Sequence, residues 1–339
     1  MRATFRGLAS GDIVTIRYDE NLTPEQGVTK PKELNEKWRQ WNDWDRIIDV
    51  HYRYPASQRF AEKEAGFQID HFVASGAKEE LYEPKFTFNG FRYLVVRGLR
   101  HPLREQDVEA CFVRTDFPRI GSFSCSNRTL SELVTMAQNS YLVNFTDGFP
   151  TDCAHREKLG WTGDGWIASE LAQYFFENTS AYGKWLQDIV DAQRPDGIPC
   201  SIVPTSGWGY HTYNGPTFDA VLATLPWNLY VYRGDRRALD VAWPAICRYV
   251  EAESKLETSP GLVANGLGDW NAAVAEHMPT PEYVISANYY HLLKLAAKIA
   301  AVKGLQSEAA RFASLAERTA DAINAKYLKA DGVYDKRLT

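Results

Sequence analysis

The sequence predicts a multidomain chain of β plus all-α class, with a β-sandwich over residues 1–118 and an all-helical domain over residues 119–339. Three observations carry that expectation. Before about residue 115, apolar residues alternate with polar ones, the period of a half-buried strand. From about Ser126 they recur at i, i+3 and i+4, the period of an amphipathic helix. A length of 339 residues exceeds what one hydrophobic core usually organises, so about two domains are expected.

The elements follow in order. Asp12-Ile-Val-Thr-Ile-Arg-Tyr18 alternates β-branched and polar residues and reads as a strand. Phe86-Thr-Phe88 and Phe91-Arg-Tyr-Leu-Val-Val96 read as two more, with Asn89-Gly90 between them as a hairpin signal. No helical period separates these strands, which favours a sandwich. Residues 24–60 are charged, rich in Trp and Arg and poorly periodic, and read as an insertion or long loop. The helical part opens with Asn127-Arg-Thr-Leu-Ser-Glu-Leu-Val-Thr-Met-Ala-Gln138. Further helices are expected near 165–177, 180–194, 218–233, 236–255, 283–303 and 306–327, each bounded by Gly, Pro, Asn or Asp. Arg233-Gly-Asp235 and Val302-Lys-Gly304 read as short connections between helices. The longer stretches 195–217 and 257–282 are expected to gather on one face. Trp227 and Trp243, each beside a proline inside a helical pattern, read as core packing.

Composition narrows the function classes. The net charge is −5 and there is no basic run, which argues against nucleic acid or an anionic membrane as a partner. The 10 Trp and 18 Tyr exceed what a core requires and fit carbohydrate binding, although a helical core rich in aromatics would also account for them. The 5 Cys stand at 111, 125, 153, 200 and 247, an odd count without a close pair, so no disulfide framework is expected. No stretch approaches the roughly 20 apolar residues of a membrane span. The N-terminal MRATFRGLASGD lacks the apolar segment of a signal peptide, and the compartment stays open because the chain is expected to begin inside a longer protein.

The densest chemistry lies in Asp152-Cys-Ala-His-Arg-Glu-Lys-Leu-Gly-Trp-Thr-Gly-Asp164. Three acids this close are ill-suited to a core, because a buried charge is costly unless paired. Leu159, Gly160, Trp161 and Gly163 interleave with them, so a solvated surface run is also a poor fit. A Trp can offer a flat face to a pyranose ring. Carboxylates can accept from hydroxyls or deliver a proton to a leaving oxygen. The plainer reading is capping, with Asp152 opening a helix after a turn at Gly148-Phe-Pro150 and Asp164 capping a helix from near Gly165. His155 and Cys153 lack partners at metal-ligand spacing, so no metal site is expected.

This run resembles the signature of glycoside hydrolase family 78, the inverting α-L-rhamnosidases, which reads approximately Asp-Cys-Pro-x-Arg-Glu-(Lys/Arg)-Leu-Gly-Trp-Thr-Gly-Asp. Ala154 stands where Pro is usual and removes no functional side chain. Arg17-Tyr-Asp-Glu-Asn-Leu22 and Tyr82–Tyr93 resemble the sandwich that precedes the catalytic barrel of that family. The resemblance implies an (α/α)6 barrel, where periodicity alone indicates an all-α domain. It implies Glu157 as general acid, and Asp152, Arg156, Trp161 and Asp164 as groups that hold the rhamnose ring.

Two further segments bear on the pocket. Ser206-Gly-Trp-Gly-Tyr-His-Thr-Tyr-Asn-Gly-Pro-Thr-Phe-Asp219 gathers glycines and aromatics before a helix. Phe218 stands where the family usually has Trp; it can stack but cannot donate a hydrogen bond, and Trp208 could share the role. The plainer reading has Asp219 capping the helix and Phe218 packing beneath it. Gly268-Asp269-Trp270 resembles a family segment whose Trp lines the sugar pocket, and Asp269 is either a hydroxyl ligand or an N-cap.

The implied reaction removes terminal non-reducing α-L-rhamnose from an oligosaccharide or glycoconjugate with inversion. Such chemistry needs a second carboxylate, about 6.5–9.5 Å from the acid. By resemblance that base lies far downstream, beyond Thr339, and the chain is expected to be a fragment, inactive alone. Glu276 and Glu282 lie near pocket loops, but nothing in the pattern makes either the base. No cofactor is implied, the expected partner is a rhamnoside, and a homodimer stays open. The alternatives are a hydrolase or lyase for another sugar on the same toroid, against which the acidic pocket counts for the lyase, and a non-catalytic carbohydrate-binding protein.

Overall fold

The computed structural model describes residues 1–19, 68–154, 157–211, 213–269 and 278–334. The expected insertion at 24–60 lies outside the described residues. The chain divides into two compact units, Met1–Val113 with Ala154–Glu157, and Arg114–Cys153 with Lys158–Thr339.

The first unit is built from strands β1 (Arg2–Arg6), β2 (Ile13–Asp19), β3 (Ile69–Val73), β4 (Glu79–Tyr82), β5 (Tyr93–Arg97) and β6 (Val108–Glu109). They form two three-stranded antiparallel sheets, ordered β4-β1-β6 and β3-β2-β5. Successive side chains in a strand point to opposite faces. Ala3 and Phe5 of β1 and Val14, Ile16 and Tyr18 of β2 therefore turn to one shared core. Phe5 and Phe72 meet there with ring centroids 5.3 Å apart. Each large side chain fully buried in this way contributes about 1.5–3 kcal/mol. Asp107 ties β1 to the segment before β6 by accepting from Arg6 and, at 2.8 Å from each of two nitrogens, from Arg104.

The expected strand at Phe86–Phe88 and its hairpin do not form. Residues 83–92 have no strand structure, and Phe86 is fully exposed at φ 59°. The side-chain amide of Gln68 takes the Gly90 backbone instead: its Nε2 donates to the Gly90 carbonyl at 2.9 Å and its Oε1 accepts from the Gly90 N–H at 3.0 Å. β5 pairs with β2, residue Tyr18 facing Leu94.

The second unit contains α1 (Arg128–Val143), a hairpin of β7 (Phe145–Thr146) and β8 (Phe149–Pro150), α2 (Thr162–Phe175), α3 (Thr179–Asp191), α4 (Pro216–Asp219), α5 (Val221–Arg233), α6 (Arg236–Ser254), a hairpin of β9 (Glu257–Ser259) and β10 (Leu262–Val263), α7 (Pro281–Val302) and α8 (Gln306–Tyr327). Local chemistry starts and stops several of them. Asn127 caps α1 by accepting from the Leu130 N–H. Gly234, at φ 68°, ends α5, and Asp235 opens α6 by accepting from the Arg237 N–H, which confirms the short connection at 233–235. One apolar core joins α1 to α8. Trp227 and Trp243 pack against it as expected, Trp243 edge-on to Phe312 at 5.6 Å. Asn178, which begins a glycosylation-type triplet, is buried and donates to the Tyr141 hydroxyl at 3.1 Å.

The buried stripe of α6 carries an anomaly. Leu239, Ala242, Ile246 and Tyr249 recur at helical spacing on its inward face, and the next position on that stripe is Glu253, fully buried. Among the described residues, no helix is long and apolar enough to cross a membrane.

Candidate active site

The signature run is a closed loop. The Asp152 N–H donates to the Leu159 carbonyl at 3.1 Å, and the Leu159 N–H donates to Asp152 Oδ1 at 3.0 Å. The Cys153 thiol donates to Asp152 Oδ2 at 2.9 Å. Asp152 thus fixes the mouth of the loop and does not cap a helix, which corrects the capping reading. Burial raises its carboxyl above the ordinary aspartate range, and the bonds from Cys153 and Leu159 oppose that rise. Lys158, at φ 54°, turns the chain before Leu159.

Beyond the loop, residues 160–162 lie along 201–203. The Val203 N–H donates to the Gly160 carbonyl at 2.8 Å, Trp161 bridges Ile202, and the Ser201 carbonyl accepts from the Thr162 N–H at 2.9 Å. That last bond explains where α2 begins. Trp161 is its N-cap and supplies no capping side chain; the carbonyl of a distant residue does that work. The helix therefore starts at Thr162, three residues before the expected start, and Asp164 is the exposed residue of its otherwise buried first turn instead of its cap. Gly160 is required by this close approach, because a Cβ there would sit 2.0 Å from the Val203 carbonyl oxygen.

α4 is docked on the first turns of α2. The Trp166 indole N–H donates to the Thr217 carbonyl at 3.0 Å. Phe218 stands edge-on to Trp161 with centroids 5.7 Å apart, and its ring fills the space that a Cβ on Gly163 would need. Phe218 and Trp161 are both half-buried, so each keeps some ring surface open. Asp219, the last residue of α4, caps nothing and lies fully buried, contrary to its capping reading. Neither of its oxygens has a hydrogen-bond partner among the described residues. Burial, and then the nearby Glu253, push its carboxyl well above the ordinary aspartate range.

Asp269 is half-buried on the segment that follows β10. The structure brings Asp152, Trp161, Asp164, Phe218 and Asp269 onto segments of the same helical unit. Glu157 is half-buried and belongs to the compact set of the sheet unit, in which the Ala154 carbonyl accepts from the Gly90 N–H at 3.1 Å. Arg156, Trp270, His155 and Glu276, and the side chain of Trp208, lie outside the described residues. Glu282 is engaged with Thr258, Lys326 and Tyr327. Among the described residues no three His, Cys, Asp or Glu side chains gather as metal ligands.

Comparison with known proteins decides the family. A family model described as the bacterial alpha-L-rhamnosidase 6 hairpin glycosidase domain matches residues 118–338, and one described as the bacterial alpha-L-rhamnosidase concanavalin-like domain matches residues 2–114. The chain belongs to the α-L-rhamnosidases of glycoside hydrolase family 78. An α-L-rhamnosidase of Streptomyces avermitilis is 34% identical over 279 residues, which are 78% of this chain and 25% of that protein. One from Formosa agariphila is 30% identical over 240 residues, 66% of this chain and 25% of that protein. The chain thus spans about a quarter of the length of these curated relatives. Among solved structures, the α-L-rhamnosidase of Dictyoglumus thermophilum superposes with a TM-score of 0.79 at 27% identity, covering 97% of this chain and 34% of that one. The Streptomyces avermitilis enzyme complexed with L-rhamnose also superposes at 0.79 and 27% identity, covering 98% of this chain and 29% of that one. For this family 78 chain, the buried group around Glu253 is the part of the helical unit that sequence reading passed over. The signal was present, as an acid interrupting the apolar stripe of α6.

Proposed function

We propose that the protein containing this chain removes terminal non-reducing α-L-rhamnose from oligosaccharides or glycoconjugates with inversion, on a β-sandwich over 1–118 and an (α/α)6 barrel that begins at 119. The observation that carries the reading is the signature loop. Half-buried Asp152 is tied to Leu159 across it, and a half-buried Trp161 ring braced by Phe218 follows. The L-rhamnose complex of the Streptomyces avermitilis relative supports the choice of sugar.

In this reading Glu157 protonates the glycosidic oxygen as the bond to the anomeric carbon breaks. Asp152, Arg156, Asp164 and Asp269 take sugar hydroxyls, and Trp161, Phe218, Trp208 and Trp270 supply apolar faces. No residue of this chain is assigned as the base. The test is the rate on an aryl α-L-rhamnoside of the natural full-length product, with the product anomer followed by NMR. Glu157→Gln should lower that rate by roughly 10²–10⁴. A folded wild-type protein that binds L-rhamnose without turning over any rhamnoside would replace catalysis by binding.

A further inference from the structure

Two segments of the helical unit, the 213–219 loop that runs into α4 and the 262–269 loop that leaves β10, carry Phe218 and Asp269, and they are latched together at three levels. Their backbones touch, with the Leu267 N–H donating to the Asn214 carbonyl at 3.1 Å. The contact needs glycine on both sides: a Cβ on Gly215 would lie 2.0 Å from the Asn265 carbonyl oxygen, and one on Gly266 would lie 2.3 Å from that of Asn214. Beneath the backbones, the Asn265 side-chain amide meets the Tyr213 hydroxyl. Below both lies Glu253, whose Oε2 accepts from the Tyr213 hydroxyl at 2.8 Å and from Asn265 Nδ2 at 3.2 Å.

We propose that Glu253 is a positioning residue that sets the register of the 213–219 loop against the 262–269 loop, acting through Tyr213 and Asn265, and so places Phe218 and Asp269 in the sugar pocket. The pocket half of this statement rests on the function proposed above; the latch does not. An acid is a poor choice for this stripe if packing is its only task, because an apolar side chain would fill it without a desolvation cost. The hydrogen bonds given to the Glu253 carboxyl run to one residue on each loop. Its surroundings are Asp219 from α4, Tyr249 from its own helix, Tyr213 and Asn265 from the loops, and Tyr289 from α7. Among the described residues no cation is one of them, and burial pushes the Glu253 carboxyl up to about 7 against the opposing hydrogen bonds of Tyr213 and Asn265. The latch is thus made with a largely protonated acid at mildly acid pH. It acquires a buried charge above neutrality, beside Asp219.

The test uses the full-length protein with Glu253→Gln, Glu253→Leu and Tyr213→Phe. Hydrogen–deuterium exchange without any sugar reads the latch directly. Glu253→Leu and Tyr213→Phe should raise exchange in both loop segments together by about tenfold, the ratio that loss of an ordinary hydrogen bond supplies. Protection of α7 should stay unchanged. Glu253→Gln, which keeps an acceptor for both donors, should stay near wild type and lose the wild-type rise in loop exchange above pH 7, after correction for intrinsic rates. On an aryl rhamnoside the first two variants should raise KM several-fold while kcat moves less, with Gln restoring it. Wild-type exchange in both loops of Glu253→Leu and Tyr213→Phe overturns the proposal, and so does an equal rise throughout the helical unit. If Glu253→Leu fails to fold, Tyr213→Phe, which removes one hydroxyl, decides the matter. If the wild type turns over no rhamnoside, the proposed function fails, while the exchange data still judge the latch.

Discussion

Asp152 and Leu159 are bonded to each other twice, backbone to backbone at 3.1 Å and backbone to carboxylate at 3.0 Å, so the two ends of the signature run are locked together. Asp152→Ala removes the second bond and leaves the buried Leu159 N–H without its acceptor. We expect a loss of about 1–3 kcal/mol, read by denaturant unfolding, together with faster proteolysis within 153–158. Asp152→Asn, which keeps an acceptor oxygen, should be milder on both readouts. Equal effects of Ala and Asn would count against the loop-locking role.

Gly160 offers a second check. A Cβ there meets backbone atoms, the Val203 oxygen at 2.0 Å and its carbon at 2.7 Å, and neither can swing aside. Gly160→Ala should therefore cost on the order of 1–3 kcal/mol or more. At about 2–4 °C per kcal/mol this is visible in Tm. Gly148→Ala is the control, since φ 87° strains it while nothing lies within 4 Å. Its cost should come from the backbone conformation alone, about 1–2 kcal/mol.

Trp185 holds the same Val203 carbonyl. Its indole N–H donates to the Val203 carbonyl at 2.8 Å, and Gly165 leaves room for its ring. Trp185→Phe should lower stability by at least about 1–3 kcal/mol, because a buried carbonyl loses its donor. Thermal unfolding of the variant would show the loss.

In the sheet unit, Arg104 and Arg6 hold the Asp107 carboxyl well below the ordinary aspartate range. An acid depressed on folding stabilises above its unfolded pKa and loses that contribution as pH falls through the folded one. Wild-type stability should thus fall on acidification below about pH 4, the ordinary aspartate value. Asp107→Asn should start lower and lose less. Urea midpoints of the two proteins at pH 6 and pH 3 give the comparison.

Glu253 has the opposite sign. Its folded value of about 7 exceeds the ordinary glutamate value of about 4.3. Between these the folded chain holds the extra proton, so stability falls as pH rises from about 4 to about 7. The full loss is on the order of 3 kcal/mol. Glu253→Gln should flatten that limb in denaturant unfolding measured from pH 5 to pH 8, and a parallel pair of curves would refute the assignment.

The helices were legible because their punctuation is local, as with Asn127, Gly234 and Asp235. Errors arose where a distant group did the work of a local one. The start of α2 is set by the Ser201 carbonyl, 39 positions from Thr162 and outside the residues that a capping rule inspects. The Asn89-Gly90 turn is claimed by Gln68, so the expected hairpin does not form. At the site, the signature run was legible from its residue types alone. The latch was not, because Tyr213, Glu253 and Asn265 have no fixed spacing in sequence and meet through tertiary packing.

The acid on the α6 stripe also sets a direction for evolutionary change. Above neutral pH it weakens the helical unit, and one substitution removes that weakness. A selection for heat resistance under alkaline conditions would find position 253 early, and a leucine there would be rewarded. The same leucine would unlatch Tyr213 and Asn265 and leave two loops slack. Hardiness gained at this position is therefore exchanged for precision.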